Sequence, residues 1–115
     1  MKFLRWVPIS LWVLIICWLS FTPLTELKIK PPIGADKLAH IVMFGVLGLI
    51  GFWTSKKKQA QVLLLLFCFI LAGMTEVVQM QFIENRMGDM FDFLANSIGI
   101  LGSVLIAKWA GKLNI

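Results

Sequence analysis

Four apolar runs separated by three polar breaks organise the chain. The first extends from Trp6 to Phe21 behind Lys2 and Arg5, the second from about Lys37 to Thr54, the third from Gln59 to Met80 and the fourth from Asp89 to Trp109. At about 1.5 Å per helical residue, such runs cross a hydrocarbon layer of about 30 Å, the first with help from its interfacial flanks. In the first break, Pro31, Pro32 and Gly34 exclude a continuous helix, and Lys56, Lys57 and Lys58 close the second run. The pattern predicts an all-α polytopic membrane protein. It is read as one domain over 1–115, a four-transmembrane-helix bundle with spans at about 6–21, 37–54, 59–80 and 89–109. Pro8 is tolerable near a helix start, where there are no intrahelical donors to lose. Asp36 is expected to cap the second helix. Gly45, Gly48 and Gly51 in the second run, and Ala95, Gly99 and Ser103 in the fourth, are small residues of the kind that let helix backbones approach closely.

With 59% hydrophobic residues, the composition is that of an integral membrane protein. The net charge of +5 does not point to nucleic acid, because the eleven basic residues lie in short clusters between apolar runs and form no basic stripe. Anchoring to anionic lipid is the plainer use of them. The segment LSFTPLTEL offers a poor cleavage site, so the first run is expected to be retained as a helix. Cys17 and Cys68 lie in different runs without metal or redox spacing and are read as small core residues. With four spans, Lys2, Arg5, Lys56, Lys57, Lys58, Lys108 and Lys112 fall on one side, against Lys28, Lys30, Lys37 and Arg86 on the other. That excess predicts both termini in the cytoplasm.

In this topology, the start of the second span, the end of the third and the start of the fourth meet at the outer membrane face, and the polar residues meet with them. Asp36, Lys37 and His40 precede Phe44 by helical steps, so Asp36 and His40 share a stripe one turn apart, and Glu76 and Gln79 share a face. Asp89, Asp92 and Asn96 fall within an arc of about 60° at 100° per residue. Each has a bland reading. A single His near a helix start is more often structural than a ligand, Arg86 is commonly an interfacial anchor, and Gln79 is a natural interhelical hydrogen-bonding group. Glu76, Asp92 and Asn96 are harder to dismiss, since they recede into apolar sequence where a lone carboxylate is costly and ionisable groups mark function by default.

The blocks DKLAHIVMFGVLG at 36–48, EVVQ at 76–79 and NRMGDMFDFLANSIGILG at 85–102 resemble the VanZ-like family of small bacterial membrane proteins. Asp36, Lys37, His40, Glu76, Gln79, Arg86, Asp89, Asp92 and Asn96 occupy the recurrent polar positions of that family. The loop before Arg86 is short and Met90–Phe91 is bulky against the pattern. The resemblance implies the bacterial cytoplasmic (inner) membrane, a cell-envelope context and a link to low-level resistance to the glycopeptide teicoplanin. It implies no reaction.

Two functional readings follow from the same residues. In the first, the outer pocket is an enzyme site acting on a lipid-linked phosphate or related envelope substrate. His40, Glu76 and Asp92 supply acid–base chemistry, and Lys37, Gln79 and Arg86 bind substrate. Asp89, Asp92 and Asn96 offer hard oxygen ligands for Mg2+ or Ca2+. No Ser or Cys stands in the cluster to act as a nucleophile. In the second, the pocket recognises a lipid head group, a glycopeptide or a partner membrane protein without turnover, or simply holds the helices together.

Overall fold

A computed structural model describes the backbone over residues 2–21, 35–82 and 90–115, and the side chains over 4–20, 37–81 and 91–115. A 3-10 turn at Lys2–Trp6 leads into α1 (Val7–Phe21), followed by α2 (Ala35–Thr54), α3 (Lys58–Phe82) and α4 (Met90–Trp109). No strand occurs among the described residues. α2, α3 and α4 are each long and apolar enough to cross a membrane, over Lys37–Thr54, Lys58–Gln81 and Phe91–Trp109; the apolar helix Leu4–Ser20 is shorter. α2 begins at Ala35, so Asp36 lies in its first turn, and its side chain, expected to cap the helix, lies outside the described residues.

The closest packing is between α2 and α4, and small residues cause it. A Cβ on Gly99 would overlap the Ile41 carbonyl oxygen and stand 2.9 Å from the Gly45 nitrogen, so the two backbones touch there. One turn along, a Cβ on Gly48 would stand 2.7 Å from the Ser103 Cβ. The glycines of α2 thus face the small-residue stripe of α4. Gly51 instead faces Leu64 of α3. Around this seam, Ile9, Ile16, Phe44, Leu47, Leu64, Cys68, Ala72 and Ile100 form the core. Cys68 is buried, Cys17 half-buried, and both are free thiols. Leu11, Leu14, Leu63, Leu66, Ile70, Leu101 and Leu105 point outward and are exposed. An apolar surface this extensive suits lipid and would drive a water-soluble chain to associate.

One end of the bundle is fastened by Gln61, which is fully buried. Its Nε2 donates to the carbonyls of Ser55 (2.9 Å) and Lys112 (2.8 Å), and its Oε1 accepts from the Asn114 backbone nitrogen (2.7 Å). The chain reaches Gln61 because α4 ends in a Schellman turn. Gly111 takes φ +74°, Gly111 N–H donates to Lys108 and Lys112 N–H donates to Ala107. The C-terminal tail is thereby pinned to the α2–α3 turn that carries Lys56, Lys57 and Lys58. Gln61→Leu is expected to lower stability by about 1–3 kcal/mol, because buried backbone groups lose their partners. Thermal unfolding reads the loss, and amide exchange at Asn114 should accelerate selectively.

Candidate functional site

The polar cluster lies at the opposite end of the bundle from that fastening. The antiparallel order of α2, α3 and α4 brings together the first turns of α2, the last turns of α3 and the first turns of α4. His40, Glu76, Gln79, Asp92 and Asn96 are all buried, at 5% exposure or less. Helical spacing places Asn96 one turn beyond Asp92 on α4 and Lys37 one turn before His40 on α2, so two residues from each helix share the site.

His40 Nδ1 stands 2.8 Å from Asn96 Oδ1. The amide oxygen only accepts, so Nδ1 carries the proton and donates, and the ring presents Nε2 on its other side. Nε2 lies 3.9 Å from Asp92 Oδ2, beyond direct hydrogen-bond reach. The other oxygen of Asp92, Oδ1, is ion-paired with Lys37 Nζ, whose side chain is 37% exposed. Glu76 completes the group: one ligand atom from each of His40, Glu76 and Asp92 lies within 4.8 Å of the others. Asn96, with no exposure, retains a side-chain Nδ2 donor that has no hydrogen-bond partner among the described residues.

Gln79 shares a face of α3 with Glu76 but turns to α1, where its Nε2 donates to the Ser20 carbonyl at 2.7 Å. That bond satisfies one of the carbonyls left over at the C-terminal end of α1 and ties α1 to the site end. Ser20 is itself buried, and its Oγ has no hydrogen-bond partner among the described residues. Sequence reasoning did not single it out, since one hydroxyl closing an apolar helix carries no distinctive signal. Arg86 and Asp89 lie outside the described residues, so the structure brings together Lys37, His40, Glu76, Asp92 and Asn96 of the expected set, with Gln79 beside them. The oxygen of Asn96, the atom expected to serve as a metal ligand, faces His40 Nδ1 and orients the imidazole.

A cleft of about 640 Å³ lies away from this chemistry, between α1 and α3, lined by Trp6, Ile9, Val13, Leu63, Leu64 and Phe67 among others. Its polar side chain, Ser10, hydrogen-bonds back to the Trp6 carbonyl at 2.9 Å. Its lining is otherwise apolar.

A family model described as VanZ/LLP1 matches residues 3–111, and so takes in α1 as well as the three helices that carry the polar residues. Among curated proteins, an uncharacterized protein of the yeast Schizosaccharomyces pombe is 27% identical over 96 residues, which cover 82% of this chain and 56% of that relative. The chain therefore spans little more than half the relative's length. No solved structure matches.

Proposed function

The chain belongs to the VanZ/LLP1 family, and from that premise we propose that it is a multi-pass membrane protein of the cell envelope whose buried polar site receives the phosphate of a lipid-linked substrate. In this reading α1 is a fourth span. The lysine-rich end and both termini face the cytoplasm, by the charge excess of the sequence, and the site opens to the outer leaflet of a bacterial inner membrane. The observation that carries the reading is a buried Asn96 amide donor without a partner among the described residues, in the cluster whose Asp92 pairs with the partly exposed Lys37 ammonium. A phosphate oxygen would satisfy that amide, and Lys37 supplies the point charge expected of a phosphate ligand. The relative from a yeast favours a head group available to both kinds of cell, a phosphate ester, over a glycopeptide confined to a bacterial wall. A role in teicoplanin resistance would then be an indirect consequence of handling envelope lipids.

A second reading has its own support. Lys37–Asp92, His40–Asn96 and Gln79–Ser20 each join two different helices. The cluster would then serve as interhelical glue in an accessory protein.

A head-group comparison separates the two. The protein in maltoside micelles is titrated with a short-chain polyprenyl phosphate and with the matching alcohol, with divalent cations and again with EDTA. The phosphate is expected to bind at least 10-fold more tightly than the alcohol under one of these conditions, and Lys37→Gln is expected to erase the difference. Equal binding of phosphate and alcohol under both conditions would sink the lipid-phosphate reading and leave the glue.

A further inference from the structure

Glu76 and Asp92 present a difficulty for any anionic ligand: two buried carboxylates stand where a phosphate would approach, and like charges in a low-dielectric site repel strongly. We propose that His40 Nε2, Glu76 and Asp92 form a binding site for a divalent transition-metal ion of the Mn2+ kind, and that Lys37 is a built-in cation which the ion displaces from Asp92. The displacement would leave the ammonium for the phosphate. The metal site stands on its own geometry, and only this last step rests on the lipid-phosphate reading.

Three features converge on the ion. The first is spacing: two donors each about 2.1 Å from one ion stand between about 3 Å and about 4.2 Å apart, depending on the angle between them. His40 Nε2 and Asp92 Oδ2 are 3.9 Å apart, too far for a hydrogen bond and within that range. Glu76 offers an oxygen in the same group, in which the three ligand atoms all lie within 4.8 Å of one another. The second is orientation. The hydrogen bond from His40 Nδ1 to Asn96 Oδ1 leaves the Nε2 lone pair directed away from Asn96. An outer partner that fixes the tautomer in this way is the usual support of a metal-bound histidine, so Asn96 is a positioning residue. The third is charge. The Lys37 ammonium already on Asp92 shows that the site accepts a cation, and an ion bound to both carboxylates would neutralise the pair more completely than one lysine does. The donor set selects among ions: an imidazole nitrogen is a poor ligand for Mg2+ or Ca2+, whereas one nitrogen with two carboxylates suits Mn2+ and its transition-metal neighbours.

The test uses the metal alone. Mn2+ is titrated into the full-length, tag-free protein in maltoside micelles and phosphate-free buffer, and binding is followed by electron paramagnetic resonance. Because His40 is the single histidine of the chain, nitrogen-14 coupling to the bound ion is diagnostic. We expect one Mn2+ per chain with imidazole coupling in the wild type, loss of that coupling in His40→Gln, and at least 10-fold weaker binding in Glu76→Gln and Asp92→Asn. Lys37→Met is expected to bind Mn2+ at least threefold more tightly, because the competing cation is gone. Absence of nitrogen coupling in the wild type, a result that needs no variant to fold, overturns the site, as does coupling that survives His40→Gln. Lys37→Met binding no tighter than wild type overturns the displacement. Lipid-phosphate binding that persists in EDTA, in a protein with no Mn2+ coupling, removes the metal and leaves the head-group reading standing. Mn2+ coupling without any preference for phosphate does the reverse.

Discussion

Gly99→Leu is expected to remove most of the folded protein from the membrane, with a loss of more than about 3 kcal/mol, above the usual range for an overpacked site. Ordinary overpacking is relieved when a neighbouring side chain rotates away. At Gly99 the obstacles are backbone atoms: a Cβ would overlap the Ile41 carbonyl oxygen, stand 2.9 Å from the Gly45 nitrogen and 3.0 Å from the Ile41 carbonyl carbon. The only relief is separation of α2 from α4, which would also pull Lys37 and His40 away from Asp92 and Asn96. Gly102→Leu is the control, since a Cβ there meets nothing within 4 Å. Thermal unfolding and size-exclusion profiles of the two variants in nanodiscs should differ sharply. Equal behaviour would mean that α2 and α4 do not cross at Gly99.

The second large effect is expected at Asp92. Asp92→Leu leaves the Lys37 ammonium without its carboxylate and takes a negative charge from beside His40. Removing one partner of a buried pair costs about 3–5 kcal/mol, and the value here belongs at the lower end because the lysine side chain is 37% exposed and reaches water. Replacing both partners, Lys37→Met with Asp92→Leu, should recover most of that loss, because an apolar pair of similar volume carries no desolvation penalty. The coupling between the two substitutions, read by unfolding in nanodiscs, is therefore expected to be positive and about 2 kcal/mol or more. An additive result would show that the ion pair contributes little to the fold.

The helical class was legible because nothing but a helix satisfies its backbone over twenty apolar residues, and the breaks at Pro31–Pro32 and Lys56–Lys58 are unambiguous. The α2–α4 seam was legible in part: the two small-residue stripes were visible, but their mutual contact depends on how the helices rotate, which side chains far apart in sequence decide. Within the site, the meeting of Lys37, His40, Asp92 and Asn96 follows from topology and helical period. The choice of partners does not. That Asn96 faces the imidazole turns on a 2.8 Å contact between helices, and Gln79 went to Ser20 because the end of α1 had a carbonyl to satisfy. Gln61 was missed altogether, since a glutamine near a helix start resembles any interfacial polar residue until the C-terminal tail folds back onto it.

The claim that most needs testing is that the buried cluster is a ligand site and not merely a tie between helices. The most direct measurement is polyprenyl phosphate binding by the Lys37→Met, Asp92→Leu double variant, at equal amounts of folded protein and with divalent cations present. The ligand-site account predicts a protein that unfolds near the wild-type temperature and binds the phosphate at least 10-fold more weakly. A double variant that is equally stable and binds as the wild type does would contradict it.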